Sequence, residues 1–257
     1  MELTPIGHKM IELESVNSTN NYAMHLLEEQ EVEEGMVIMT RYQSKGRGQD
    51  KNRWISEKGN NLLLSIILYP VFVPASEQFI LNKVLSLAIL DFIRHLTHLE
   101  SILIKWPNDI YLGHKKVAGI LVQNSIQGNR IEHTIAGIGI NINQEEFPAF
   151  EPEATSLKKE TGRTFQIKTC ANLLFKKLTL RYHQLKSGAR ETIHWDYLHS
   201  LYRFNSWHPY QVGNREFSAR IIGVNEFGKL VLEEKNGSSL ECDIKGIHFL
   251  PDQSRKC

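Results

Sequence analysis

An α+β fold, with a small strand-rich unit closing the chain, follows from three observations. Apolar periodicity gives elements in the order α, β, β, α, β, β, β, β, α, α, without the regular alternation that a doubly wound parallel sheet requires. After Tyr202 the texture changes to short alternating strands between turns. Hydrophobic residues make up 41% and charged residues 23% of the 257, a soluble globular balance with room for one large domain or one large plus one small.

The elements can be justified in turn. Ser18-Thr19-Asn20-Asn21 precedes Tyr22-Ala23-Met24-His25-Leu26-Leu27, oxygen-bearing residues ahead of an apolar-periodic run, which predicts a helix N-cap. Residues 35–40 predict a strand, and Leu62 to Leu68 a buried one stopped by Pro70. Between them, Gln43 to Asn61 is rich in Gly, Lys, Arg and Asn, longer than a hairpin connection needs and of the kind that carries function. From Ser76 to Leu96, Phe79, Ile80, Val84, Leu87, Ala88, Phe92 and Ile93 share one helical face, which leaves Lys83, Asp91 and Arg94 elsewhere. Strands are expected at 101–106, 110–112, 117–123 and 130–142, separated by Asn108-Asp109, Gly113-His114 and Gln127-Gly128-Asn129. Residues 170–187 and 191–202 have helical periodicity. Turns at Gln211 to Asn214 and Glu233 to Gly237 bracket strands at 216–224 and 229–232, a small barrel or meander with its boundary near Val212, giving units of 1–211 and 212–257.

Lys+Arg of 30 against Asp+Glu of 29 leaves a net charge of +1, which argues against a whole-surface affinity for nucleic acid or membrane. Cys170, Cys242 and Cys257 show neither metal-ligand spacing nor a disulfide framework, as expected of a cytoplasmic protein. No apolar run is long enough for a signal core or a membrane span. The eleven histidines form no H-E-x-x-H pattern, and no G-x-S-x-G elbow is present. His25, His114 and His133 are expected at the surface, and the four tryptophans in packing, with Trp54 and Trp106 beside candidate sites.

Three stretches could carry chemistry. In Gln43-Ser44-Lys45-Gly46-Arg47-Gly48-Gln49, continuing through Asp50 to Trp54, two glycines flank an arginine, so backbone N–H groups can converge on an anion while the guanidinium offers forked donors. A solvated basic loop explains the same residues. In Lys105-Trp106-Pro107-Asn108-Asp109, followed by Lys115-Lys116-Val117-Ala118-Gly119-Ile120, the turn's Asn and Asp have the oxygens that Mg²⁺ takes, and a lysine across the hairpin could reach the same phosphate. Turn chemistry alone accounts for Pro107-Asn108-Asp109 equally well. In Gly137-Ile138-Gly139-Ile140-Asn141-Ile142-Asn143, alternation puts the isoleucines toward the core and Gly137, Gly139, Asn141 and Asn143 on the other face. The glycines leave room there for a flat purine or sugar, or for a bulge or close strand packing.

In this order the motifs resemble the biotin protein ligases: Ser-Thr-Asn before the first helix, Gln-x-x-Gly-Arg-Gly with a Trp eight residues after its first Gly, Lys-Trp-Pro-Asn-Asp, Lys-x-Ala-Gly-Ile-Leu and Gly-x-Gly-x-Asn. The likeness runs over roughly residues 10 to 250. It implies a catalytic domain with a mixed sheet like the class II aminoacyl-tRNA synthetase core, followed by a barrel of the Src-homology-three (SH3-like) type. It also implies a biotin–[acetyl-CoA-carboxylase] ligase reaction, in which biotin and ATP give biotinyl-5'-AMP and pyrophosphate and biotin then passes to a lysine of a biotin carboxyl carrier protein. By that resemblance Ser18, Thr19, Asn20, Gln43, Gly46, Arg47, Gly48, Lys116, Gly119 and Gly137 bind biotin. Arg47, Gly48, Gln49, Trp54, Asn108, Lys116, Gly139 and Asn141 bind ATP or the adenylate. Lys116, Arg47 and Asp109 act in catalysis, with Asp109 holding Mg²⁺.

Many members continue Gly-Arg-Gly with Arg-x-Gly-Arg, whereas this chain has Gln49-Asp50-Lys51-Asn52, so the loop carries less fixed positive charge for the adenylate. Residues 43–52 are nevertheless expected to form a lid that keeps water from the mixed anhydride. Members that repress transcription carry a winged helix-turn-helix ahead of the catalytic domain. Only seventeen residues precede Ser18, so the expected form lacks it and has no nucleic-acid partner. A homodimer through the catalytic sheet is compatible with the sequence, and for the barrel both packing against the nucleotide site and carrier docking are. Two other readings stay open: a lipoate or octanoate ligase, which shares the core, and a non-catalytic biotin-binding regulator.

Overall fold

The computed structural model describes residues 4–49, 52–149 and 153–251; Asp50, Lys51 and Cys257 lie outside the described residues. Its larger part is a seven-stranded mixed sheet in the order β1-β2-β3-β7-β6-β5-β4. The strands are β1 (Met10–Leu13), β2 (Val37–Thr40), β3 (Leu62–Leu68), β4 (Ile102–Lys105), β5 (Asp109–Leu112), β6 (Lys115–Gln127) and β7 (Arg130–Ile140). Only β1 and β2 pair in parallel. Between the strands and after them run α1 (Thr19–Glu29), α2 (Phe79–Thr97), α3 (Leu157–Thr161), α4 (Ile167–Lys186) and α5 (Arg190–His199).

β3 is buried at every position because both its faces are covered, which is why it reads as an unbroken apolar run. Its even-numbered residues, Leu62 to Leu68, join α2 and α4 in the main core, whereas Ile67 packs with Ala23 and Leu26 of α1 in a smaller cluster. Seen from the sheet, one face is sealed by helices, and the other carries α1 and leaves a cavity beside it.

The sequence reading missed β1 and α3, which span four and five residues, too short for a periodic signal. It also began α2 too early, where Ala75–Glu77 forms a 3₁₀ turn. Lys83 is buried by contacts that periodicity does not show. The apolar face leaves it out, yet it is 6% exposed, because α5 as well as the sheet and α4 packs against α2. Burial lowers the Lys83 ammonium to about 8, and its Nζ sits 2.8 Å from His194 Nδ1. Two of the four tryptophans, Trp195 and Trp207, are exposed and not packed in the core.

A second, antiparallel sheet follows, with strand order β11-β10-β9-β8-β12. Its strands are β8 (Trp207–Val212), β9 (Arg215–Val224), β10 (Leu230–Glu234), β11 (Ser239–Cys242) and β12 (His248–Phe249). β8 pairs with β9 along its length, so this sheet's strands begin at Trp207, ahead of Val212. Tyr210, Ala219, Ile221, Leu230 and Leu232 are buried in it. Among the described residues no helix is long and apolar enough to cross a membrane. Cys170 and Cys242 are buried and free, and burial pushes both thiols up to about 11.

Candidate active site

A cavity of about 140 Å³ opens where the N-terminus of α1, the 43–54 loop, the β4–β5 turn and the middle of β6 and β7 converge. Of the sixteen residues expected in the site, Ser18, Thr19, Asn20, Gln43, Arg47, Gly48, Gln49, Trp54, Asn108, Asp109, Lys116, Gly119, Gly137 and Gly139 line it. Gly46 and Asn141 do not.

One end is a buried polar cluster. Ser18 is the N-cap of α1 by its extended backbone, but its side chain makes no capping bond. Instead the Thr19 N–H donates to Gln43 Oε1 at 2.7 Å, so the loop's glutamine caps the helix. Ser65 Oγ on β3 lies 2.7 Å from Thr19 Oγ1 and 2.6 Å from Asn20 Oδ1, and Asn20 Nδ2 donates to Gln123 Oε1 at 2.8 Å. Such a network fixes donors and acceptors without a net charge, as a polar but neutral ring system would need. Ser65 was missed by sequence reasoning. Its signal was there: one hydroxyl in the run Leu62 to Leu68, too buried to be left without a polar partner.

At the other end Lys116 Nζ is 2.7 Å from Asp109 Oδ1. The backbone explains how they meet. Asp109 is paired across the hairpin with Gly119, and the β5–β6 register shifts between Ile110 and Tyr111. Residues 116 and 119 differ by an odd number, so a regular strand would aim them to opposite faces; the bulge brings both to the cavity. Lys116 then lies over Gly119, where a Cβ would come within 3.2 Å of its Cε and 3.3 Å of its Nζ. Asn108 anchors the turn, donating from Nδ2 to the Ile120 carbonyl at 2.5 Å, while its own carbonyl accepts from Ile120 N–H at 3.0 Å.

The glycines of β7 face the cavity as alternation requires, with Ile138, Ile140 and Ile142 buried. What fills the space is the chain itself. A Cβ on Gly139 would fall 2.5 Å from Trp54 Cε2, and one on Gly137 3.0 Å from Asn20 Cγ. The flat group over Gly119 and Gly139 is thus the Trp54 indole, whose Nε1 is buried without a partner among the described residues. Gly46 serves this arrangement from outside the cavity: it is buried against the Trp54 carbonyl, which a Cβ would strike, and Trp54 N–H donates to the Gly46 carbonyl at 3.0 Å. Arg47 is exposed and donates to Asn21 Oδ1 at 2.9 Å.

Asn141, expected at the nucleotide, lies outside the cavity lining. It is 3% exposed, and its Nδ2 donates to the Thr155 carbonyl at 2.9 Å. Its backbone carbonyl accepts from Leu157 N–H at 3.1 Å. It ties down the segment whose Glu153 carbonyl and Thr155 N–H bond to the Lys116 backbone, at 2.8 and 2.9 Å. Asn141 thus supports Lys116 from behind, because the β7 strand has ended and its chain has turned into the core.

Asp109 is the one carboxylate among the described residues that line the cavity. No group of three potential metal-binding side chains exists among the described residues. Mg²⁺ commonly takes one or two carboxylates and completes its shell with substrate phosphates and water, so Asp109 fits an ion carried in with a nucleotide. A cleft of about 740 Å³ adjoins the cavity through Asn108 and Asp109, with Lys105 and Arg203 in its wall. Burial lowers the Lys105 ammonium, with Asp109 opposing the shift and Lys116 and Arg203 adding to it.

A model of the biotin/lipoate A/B protein ligase family matches residues 12–141. The bifunctional ligase/repressor BirA of Bacillus subtilis is 28% identical over 245 residues, spanning 90% of this chain and 71% of that protein. The biotin–[acetyl-CoA-carboxylase] ligase of Paracoccus denitrificans is 28% identical over 205 residues, 78% of this chain and 85% of that one. Among solved structures, the biotin protein ligase from Aquifex aeolicus in complex with biotin and ATP superposes with a TM-score of 0.78 at 25% identity, over 95% of this chain and 100% of that chain.

Proposed function

The chain belongs to the biotin/lipoate A/B protein ligase family, and from that premise we propose that it is a biotin protein ligase. It activates biotin with ATP and passes the biotinyl group to a lysine of a biotin carboxyl carrier protein. The observation that carries this reading is a single cavity with a neutral hydrogen-bonding cluster at one end and the Lys116–Asp109 pair at the other. A relative and a structural neighbour named for biotin ligation support it.

In the first step a biotin carboxylate oxygen attacks the α-phosphorus of ATP, and the bond to the β-phosphate oxygen breaks to release pyrophosphate. Two anions must approach, so fixed positive charge has to be in place beforehand. Lys116 supplies it, held by Asp109 and over Gly119. Ser18, Thr19, Asn20 and Gln43 grip biotin's ureido ring, with Gly137 leaving room for it. The Arg47-Gly48-Gln49 segment lies against the adenylate. Trp54 must leave Gly119 and Gly139, or be stacked upon, for a nucleotide to reach them. Asp109 and Asn108 would hold Mg²⁺, which offsets charge on the phosphates. In the second step the neutral acceptor amine attacks the acyl carbon, expelling AMP and losing a proton. The 43–52 loop closes over the mixed anhydride between the steps.

The same reading makes the first sheet a class II synthetase-like core and the second sheet, whose strands start at Trp207 and not at the expected boundary of 212, an SH3-like barrel, in a protein of the cytoplasm. Labelled biotin, ATP and Mg²⁺ with a recombinant carrier domain test it. Label incorporated into the carrier, and lost when its acceptor lysine is replaced, is the expected result; no ATP-dependent label would refute it.

A further inference from the structure

Beneath the Asn108–Asp109 turn a closed ring of contacts includes one member from the second sheet. Trp106, 3% exposed, directly precedes the Pro107-Asn108-Asp109 turn, and its Nε1 donates to the Gly228 carbonyl at 2.9 Å. Gly228 belongs to the tight β9–β10 turn, closed by Gly228 N–H to the Asn225 carbonyl at 3.1 Å and by Lys229 N–H to Asn225 Oδ1 at 2.9 Å. It has φ +85, and a Cβ there would sit 2.5 Å from Phe79 Cγ and 2.9 Å from Phe79 Cβ. Phe79 meets Tyr197 edge to face, with centroids 6.0 Å apart, and the Tyr197 hydroxyl donates to the Pro107 carbonyl at 3.4 Å. Gly228, Phe79, Tyr197, Pro107 and Trp106 thus form a circuit through α2, α5 and the β9–β10 turn.

The circuit matters because of what stands on it. Asp109 is paired with Gly119 of β6 on one side and with Lys105 of β4 on the other, Asn108 is tied to Ile120, and the turn that joins β4 to β5 rests on Trp106 and Pro107. A buried indole N–H has one donor and, here, one acceptor, so removing that bond leaves the Gly228 carbonyl unpaired and frees the ring to rock. A side chain that must meet developing charge loses much of its effect when displaced by even about 1 Å.

We propose that the β9–β10 turn is part of the adenylation machinery: the Gly228 carbonyl fixes Trp106, and Trp106 fixes how Asp109 meets Lys116. Trp106 and Gly228 are positioning residues, and neither lines the cavity that holds Lys116. The inference rests on the reading that Asp109 and Lys116 serve biotin adenylation.

The test is a double-mutant cycle in the full-length protein, read by biotin-dependent pyrophosphate exchange. Trp106→Phe keeps the ring and deletes the donor. We expect kcat to fall about tenfold with the KM for biotin within about twofold, and the loss to vanish in an Asp109→Asn background. A Trp106→Phe loss carried over in full to Asp109→Asn, or no loss at all, would overturn the inference and leave the ligase reading standing. Asp109→Asn at wild-type activity would overturn the role given to Asp109 and the inference with it, while the biotin-dependent exchange itself would uphold the ligase reading. Should Trp106→Phe fail to fold, Asn225→Ala loosens the same turn from a position outside the core. It should give the same non-additive pattern at about threefold, and unchanged kcat there would equally defeat the proposal.

Discussion

Lys116 Nζ and Asp109 Oδ1 stand 2.7 Å apart, with both side chains between a fifth and three tenths exposed. They are sheltered enough to be oriented and open enough to be reached by substrate. An ion pair in that setting is a holding arrangement, since an arriving carboxylate and phosphate present Lys116 with competing partners. In the proposed reaction, Asp109 would keep the lysine aimed across Gly119 until the anions that need it are bound.

Lys116→Ala should reduce biotin-dependent pyrophosphate exchange by roughly 10²–10³-fold while leaving the fold intact. Exchange kinetics alongside a circular-dichroism melt check both halves. Near-normal exchange would mean that another cation serves the reaction.

Adding a methyl group at Gly137 pushes on the Asn20 amide, part of the proposed biotin grip. Gly137→Ala is expected to raise the Kd for biotin at least about tenfold by calorimetry, with a much smaller effect on ATP. Equal weakening of both ligands would place biotin elsewhere in the cavity.

Ser65→Ala removes the hydroxyl that Asn20 Oδ1 and Thr19 Oγ1 share. The predicted loss is about 1–2 kcal/mol of stability in urea titrations, together with weaker biotin binding. Unaltered stability would show that the cluster repairs itself.

The Trp54 indole occupies the floor over Gly119 and Gly139, so ATP and biotin together should change its environment. Ligand-induced tryptophan fluorescence change is expected in the wild type and should be largely absent in Trp54→Phe. A change of equal size in that variant would assign the signal to another tryptophan.

Much of this site was legible because each motif sits where local rules hold: β3 is an apolar run, Gly137 and Gly139 alternate with buried isoleucines, and Pro107-Asn108 lie in the turn that leads into β5 at Asp109. The unreadable parts depend on tertiary contacts. The bulge that turns Lys116 and Gly119 to one side leaves no compositional trace, and neither does the end of β7 before Asn141, which leaves that residue outside the cavity lining. Lys83 lies off the one apolar face that periodicity marks, and its burial comes from α5, which covers α2 on another side.

That last residue yields a pH prediction. Burial holds the Lys83 ammonium at about 8 against an unfolded value of 10.5, so between those values the unfolded chain binds more protons and stability rises with pH. The whole shift corresponds to roughly 3 kcal/mol. The gain between pH 8 and 10, measured as the difference between wild type and Lys83→Met in chemical denaturation, should be present in the former and missing in the latter. Parallel curves for the two proteins would locate the proton elsewhere.

Exchange of labelled pyrophosphate into ATP, with biotin in one arm and lipoate in the other, asks most directly what the cavity activates. Exchange that depends on biotin, with little or none on lipoate, is the predicted result. Exchange with lipoate alone, or with neither acid, would contradict biotin ligation.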